Sequence, residues 1–323
     1  MNTLLLQAER ADHLAQAGHL LKAGQLVAVP TETVYGLAAD ASNPEAVAAI
    51  FAAKQRPRNH PLILHIGDLQ QLDQWVKAVP DWVEPLARQF WPGPLTLLLD
   101  KHPRVSDVVT GGLPTIGVRI PQHPTLLSLL RQHQLAVAAP SANPYQKLSP
   151  TRAEHVMAGL NGRIAAVLDG GPCQVGTEST ILRVTPEGAE ILRAGPITAS
   201  ALQRHLAVPV RDFAPHRVAV SGNHKVHYRP NCPLSLLTRA ELQAQWPRVD
   251  DTTGLLLHAA DWPAQGGHRI AMPADHQGYR QALYGALYRL DQTPGVARIW
   301  VEAPPSGPEW LDIWDRLQRA AGT

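Results

Sequence analysis

The chain of 323 residues is poor in most features that announce a site. It has two cysteines, Cys173 and Cys232, and no CxxC pair. That spacing excludes a disulfide scaffold and a cysteine zinc site, and it fits a reducing cytoplasm. The 15 histidines follow no metal-ligand pattern, so no protein-bound metal is expected. Charge of one sign is also missing: 29 Lys plus Arg stand against 27 Asp plus Glu, a net +2. A balance so even argues against a general nucleic-acid binder, so any polyanion site must be local. No apolar run approaches the roughly 20 residues of a membrane span. The opening MNTLLLQAER is too short in apolar residues for a secretory signal. GxGxxG, HExxH and GxSxG do not occur, and GPCQVGT carries Thr177 where a phosphate loop requires lysine. The expectation is a soluble cytoplasmic protein with no membrane attachment and no strong direct binding of nucleic acid.

What is present is ample core: 45% of residues are hydrophobic, and the length suits two domains. Residues 10–23 repeat at helical spacing up to Gly24, and LVAV reads as a buried strand. PTETVYGLAAD, residues 30–40, follows with a composition that suits a turn more than a strand. Asn43-Pro44-Glu45 starts a helix running to about Lys54. PLILHI, LTLLLD, TIGVRIP, LAVAAPSAN and RIAAVLDGG read as further strands, and STILRVTPEGAEILRAG as a hairpin. Strands and helices mix without strict alternation. The fold class expected is α+β: a large twisted mixed-sheet domain over 1–206, a proline-punctuated linker over 207–233, and a small α/β Rossmann-like domain over 234–323. In that last part Tyr279, Leu283, Leu287 and Leu290 share one helix face.

The remaining chemistry sits in polar turns at strand ends. Lys54, Arg56 and Arg58 gather just past a helix. Taken alone they read first as solvated charge at a helix C-terminus; the functional alternative is a cradle whose guanidinium forks match phosphate oxygens. Ser141 and Asn143 close LAVAAP, and GTEST adds two hydroxyl types and a carboxylate before the next strand. Together these form a polar pocket with a cationic rim and no obvious nucleophile.

In order along the chain, PTETVYGL, KQRP, PLILH, TIGVRIP, APSAN, GTESTI and ILRAG resemble the YrdC-domain family of threonylcarbamoyl-AMP synthases. HYRP in the linker and VEAPP with DRLQRAA near the end are similar to its longer two-domain form, although NHKV before HYRP is less basic than the family's usual segment. The resemblance implies conversion of L-threonine, bicarbonate and ATP, with Mg2+, to threonylcarbamoyl-AMP and pyrophosphate. Downstream tRNA threonylcarbamoyl-transferase proteins would then modify an adenosine beside the anticodon. Carried over by position, it implies that Thr33, His65, Arg119, Ala139 and Ser179 line the threonine site. Arg56, His60, Thr115, Ser141, Ser149, Arg193 and Tyr228 would contact ATP, with Lys54 and Arg56 as the catalytic cations. The linker would close over the pocket as a lid. Two other readings of this fold stay open, an RNA-binding module and a carbamoyl-transfer module acting on another acceptor.

Overall fold

The computed structural model describes residues 2–322, leaving out 215, 217, 223–226, 259–260 and 265. Part of the expected linker therefore lies outside the described residues. The chain falls into two units: Met1–Tyr145, Pro150–Gln174 and Glu178–Asn223 in the first, Gln146–Ser149, Val175–Thr177 and His224–Thr323 in the second.

The strands of the first unit are β1 (Leu4–Gln7), β2 (Val27–Val29), β3 (Gly36–Asp40), β4 (Ile63–His65), β5 (Leu95–Asp100), β6 (Thr115–Arg119), β7 (Val137–Ala138), β8 (Ala166–Asp169), β9 (Thr180–Thr185), β10 (Gly188–Arg193) and β11 (Val210–Arg211). They make one sheet in the order β1-β8-β2-β3-β7-β4-β6-β5-β9-β10-β11. Its pairing is mixed: β4 and β6 run parallel, whereas β5 and β6 run antiparallel. The helices are α1 (Ala11–Lys22), α2 (Pro44–Lys54), α3 (Val83–Phe90), α4 (Asp107–Thr110), α5 (Pro124–His133), α6 (Ala153–Leu160) and α7 (Ala199–Gln203).

Alternation along the strands buries both faces. Val27 and Val29 pack with Ala17 and Leu21 of α1 and Leu126, Leu129 and Leu130 of α5. Ala28, Leu37 and Ala39 point the other way, onto Val47, Ile50 and Phe51 of α2. The start of α2 follows its sequence signal: the Asn43 side chain accepts from the Glu45 and Ala46 amides at 3.1 Å, and Pro44 opens the first turn.

One local reading is corrected. PTETVYGLAAD is a turn only over residues 31–35; Gly36–Asp40 is β3. Pairing of Val29 with Gly36 on one side and Asp40 with Val137 on the other buries an alternating Leu-Ala-Ala run that has no strand signal of its own. LAVAAPSAN is, as expected, a strand that ends in a polar turn, and its ladder is short, Val137–Ala138.

The second unit is a four-stranded parallel sheet, β12 (Leu234–Leu237), β13 (Thr253–Leu257), β14 (His268–Ala271) and β15 (Arg298–Glu302), in the order β12-β15-β13-β14. Its helices are α8 (Arg239–Gln245), α9 (His276–Asp291) and α10 (Leu311–Ala321). Tyr279, Leu283, Leu287 and Leu290 of α9 are buried, as their shared face requires. This is the small Rossmann-like α/β architecture expected from the sequence. Among the described residues, no helix is long and apolar enough to cross a membrane.

Candidate active site

The turn after β2 is built by hydroxyls. Thr31 Oγ1 accepts from the amides of Thr33 (3.1 Å) and Val34 (3.2 Å) and donates to the Val34 carbonyl at 2.7 Å. Thr33 Oγ1 lies 2.8 Å from it. Since the Thr31 proton goes to Val34, Thr33 supplies the proton of that pair and keeps its lone pairs for another donor. Tyr35 turns away from the site; its hydroxyl donates to the Gly171 carbonyl at 2.7 Å and fixes the loop after β8. Gly36 is a close-approach glycine: a Cβ there would stand 3.2 Å from the Ala139 Cβ. That approach lets Leu37 N reach the Pro140 carbonyl at 2.7 Å and Ala142 N the Tyr35 carbonyl at 2.8 Å, placing Ala139 and Ser141 beside the turn.

Strand register brings the other predicted threonine-site residues alongside. His65 is paired with Val137 on β7 and with Arg119 on β6. Arg119 donates through Nη2 to Glu32 Oε2 at 3.1 Å, with both side chains at most 3% exposed. Arg119 Nε and Glu32 Oε1 are buried and make no hydrogen bond among the described residues. Burial lowers the Arg119 pKa, and the Glu32 charge opposes it. His65 is held well below the usual histidine range, first by burial and then by the Arg119 and Arg193 charges, so it is neutral at pH 7. Its Nδ1 lies 3.3 Å from the Ile63 carbonyl, which can only accept. Nδ1 therefore carries the proton and Nε2 is an acceptor. Ser179 is gripped from two sides: Arg193 Nη2 donates to its Oγ at 2.9 Å, and Thr96 Oγ1 lies 2.7 Å from it. Arg193 Nε also donates to the Ser179 carbonyl at 3.0 Å.

The cations past α2 separate into different roles. Arg58 is exposed, whereas Lys54 and Arg56 are buried, at 2% and 9% exposure. The Lys54 ammonium donates to the Ser141 carbonyl and, at 2.5 Å, to the Asn143 carbonyl. Burial, reinforced by the Arg56 charge, pushes its pKa well down. Lys54 thus holds the 141–143 turn. Arg56 donates to the Pro61 carbonyl at 3.1 Å, and the His60 ring meets Tyr145 at 5.6 Å. Thr115, at the start of β6, lines a pocket with Ile63, Thr96, Gly117, Val220 and Ser221. Gly117 leaves that space open, since a Cβ there would reach Thr96 Cγ2 at 3.1 Å.

Ser149 and Tyr228 are placed in the second unit. Ser149 is fully buried. Tyr228 has a left-handed backbone (φ 60°), 1% exposure, and a ring 5.9 Å from Tyr284 with the Arg316 guanidinium 5.2 Å over it. Among the described residues no group of three or more His, Cys, Asp or Glu side chains could hold a metal ion.

A family model described as telomere recombination, for Sua5, YciO and YrdC proteins, matches residues 19–195. A second, described as the threonylcarbamoyl-AMP synthase C-terminal domain, matches 197–322. The chain belongs to the Sua5–YciO–YrdC family. Both parts of the long form of that family are present. A threonylcarbamoyl-AMP synthase of Bacillus subtilis is 38% identical over 96% of this chain and 93% of its own. Another, of Schizosaccharomyces pombe, is 40% identical over 91% and 84%. A crystal structure of Pyrococcus abyssi Sua5 complexed with L-threonine superposes with a TM-score of 0.88, at 32% identity over 100% of this chain and 98% of that one.

Three residues of the cluster escaped the sequence reading. Glu32 lies inside PTETVYGL, and its acid between two threonines was the available signal. Thr96 is hidden in LTLLLD, where one hydroxyl among leucines reads as core. Cys173 is buried with its thiol pushed up by desolvation and, next, by the Glu32 charge, which puts it beside the same turn.

Proposed function

We propose that this chain is an L-threonylcarbamoyladenylate synthase, joining L-threonine, bicarbonate and ATP to give threonylcarbamoyl-AMP, pyrophosphate and water. The buried Arg119–Glu32 pair carries this reading. A guanidinium and a carboxylate side by side, each with one buried polar atom that no described residue satisfies, complement a zwitterionic amino acid. Arg119 Nε would donate to the α-carboxylate of threonine, with Glu32 Oε1 accepting from its amine or hydroxyl. Thr33, neutral His65, Ser179 and the Ala139 wall complete the pocket.

No protein nucleophile is required. The threonine amine attacks the carbon of bicarbonate, whose C–O bond breaks so that hydroxide leaves as water with the amine proton, or it adds to carbon dioxide and loses a proton; either route gives the carbamate. The carbamate oxygen then attacks the α-phosphorus, and the bond to the departing pyrophosphate breaks. The chain's own contribution is to hold the reactants together and neutralise charge. Arg56 and Arg193 supply guanidinium charge, and Lys54 holds the Ser141–Asn143 turn against the nucleotide. The pocket bordered by Thr115 and Gly117 offers an apolar seat for the purine. Mg2+ would be held chiefly through the phosphate oxygens of ATP, which suits a neighbourhood of hydroxyls and carbonyls without a carboxylate cage. The product is an activated carbamoyl donor for tRNA threonylcarbamoyl-transferase proteins, and its use on tRNA beside the anticodon agrees with a cytoplasmic setting.

The test is incubation of the full chain with ATP, bicarbonate and labelled threonine, followed by separation of nucleotides. A labelled adenylate whose formation needs all three substrates, with matching pyrophosphate, is expected. No threonine-dependent adenylate at saturating substrates would overturn the proposal.

A further inference from the structure

His123 is the residue that opens α5, shortly past Arg119 on the same strand exit. Its ring packs where the turn after β2 begins. A Cβ on Gly170 would lie 2.8 Å from His123 Cε1 and 2.7 Å from Pro30 Cγ, so glycine at 170 lets the ring and Pro30 meet the loop after β8. The Gly170 backbone makes a hydrogen bond that favours the charged ring, so its carbonyl is the acceptor, and the Glu32 charge acts on the ring as well. His123 Nδ1 is buried and makes no hydrogen bond among the described residues. The nitrogen on Gly170 is therefore Nε2, which carries the proton, and Nδ1 keeps an open lone pair. His123, Pro30, Glu32, Arg119 and Gly170 all belong to the first unit.

The ammonium of an amino acid becomes a nucleophile only after it loses one of its N–H protons. Two buried acceptors at this turn have nothing to accept, Glu32 Oε1 and His123 Nδ1. Glu32 is the poorer proton taker, because its carboxylate is already paired with buried Arg119 at 3.1 Å. His65, the other neutral imidazole at the threonine end, faces the Arg119 and Arg193 charges, which oppose an imidazolium. His123 faces the opposite field. Burial, the largest influence, holds it below the usual histidine range, so the ring is neutral at pH 7, and the N-terminus of α5 acts in the same sense. The Gly170 carbonyl and then the Glu32 charge favour the imidazolium once it forms. Of the other ionisable groups on the loop after β8, Asp169 accepts from the Gly171 amide at 2.9 Å, and burial keeps Cys173 a neutral thiol. We propose that His123 is the general base of the first step, taking through Nδ1 a proton from the ammonium of bound threonine. The N–H bond breaks, its electron pair stays on the threonine nitrogen, and the proton rests on the imidazolium between Gly170 and Glu32 until solvent removes it. This rests on the synthase reading.

The test is His123→Gln in the full chain, which removes the titrating nitrogen and keeps a polar side chain. A positioned general base contributes about a hundredfold or more, so kcat/KM for threonine at pH 7 should fall by about that factor. The deficit should shrink as pH rises and more threonine arrives as the free amine. Threonine affinity by calorimetry and the melting temperature should stay at wild-type values. A second readout needs no turnover. In wild type labelled at the histidine ring nitrogens, saturating L-threonine alone should shift the His123 Nδ1 resonance as its lone pair takes a hydrogen bond; that resonance is assigned by its absence in His123→Gln or His123→Asn. Wild-type kcat/KM in His123→Gln would overturn the inference. So would a deficit that is the same at every pH and runs with weaker threonine binding or a lower melting temperature, the pattern of a structural role. An Nδ1 resonance unmoved by threonine that does bind would also decide against it. If wild type itself forms no adenylate, the synthase reading fails and this step fails with it; if wild type forms it and His123→Gln keeps pace at pH 7, only the role of His123 falls.

Discussion

Removing the Glu32 carboxylate tests the centre of the site. Its partner Arg119 is 2% exposed, and their contact is 3.1 Å, so water cannot replace the lost anion. Breaking a buried pair from one side costs about 3–5 kcal/mol, because the remaining charge is left uncompensated. Glu32→Ala should therefore cost about that much. For a unit of about 200 residues, each kcal/mol moves the melting temperature by about 2–4 °C, so a fall of about 10 °C is expected. Glu32→Gln keeps an oxygen for Arg119 Nη2 but exchanges a charged hydrogen bond for a neutral one, a loss of about 1–2 kcal/mol. That corresponds to about 4 °C. Scanning calorimetry at neutral pH reads both. Because the contact is desolvated, the differences should persist in high salt, unlike those of a surface pair. Glu32→Gln should also raise KM for threonine more than KM for ATP. A Glu32→Ala melting temperature within about 1 °C of wild type would refute this account of the pair's energetics.

Arg56→Lys keeps the charge but loses the planar fork, so turnover should drop at least tenfold as an order-of-magnitude estimate; equal rates and equal KM for ATP would remove Arg56 from the phosphate site. His155 is depressed to about 4, chiefly by burial. A histidine with a lowered folded-state value contributes stability that is complete above its unfolded value of about 6.5 and is lost as pH falls through the folded-state value. Between pH 7 and pH 5 it should account for about 2 kcal/mol of lost stability, so His155→Gln should lose that much less on acidification; parallel losses in mutant and wild type would contradict this. His65 acts in the same direction, and the same comparison with His65→Gln should flatten the acid limb further. Serine retains the hydroxyl of threonine and should be a poor but measurable substrate, whereas valine leaves a buried polar partner unmatched at about 1–3 kcal/mol. Valine used as well as serine would show that pocket shape, and not hydrogen bonding, selects the amino acid.

Local signals in the sequence were read where local forces decide. Asn43 and Pro44 start α2 because capping needs only neighbouring amides, and the α9 stripe is buried because helical periodicity alone puts those four side chains together. The site was legible in part because its turns are short polar interruptions between apolar strands. What stayed hidden depends on residues far apart in the chain. Lys54 looked like helix-end charge because nothing nearby reveals that carbonyls 87 and 89 positions later receive its ammonium. Glu32 meets Arg119 at the same separation, 87 residues, through sheet order that no local pattern encodes. Thr96 sits in a strand whose leucines mask it, and only the pairing of β5 with β9 brings it to Ser179. β3 was missed because two-sided burial can make a strand of small residues with weak intrinsic preference.

Gln146–Ser149 and Val175–Thr177 belong structurally with residues that come much later in the chain. Tyr288 donates to the Leu148 carbonyl at 2.8 Å, as Thr177 does to Asp312. The molecule consequently offers no clean crossover point for recombination. A chimera that takes everything before the linker from one relative and everything after it from another inherits both short segments from the wrong parent. Its fitness would then turn on seven residues well inside the N-terminal parent, not on the match at the junction. Exchanging those seven along with the C-terminal part should rescue such chimeras, so the heritable unit is discontinuous even though the polypeptide is not.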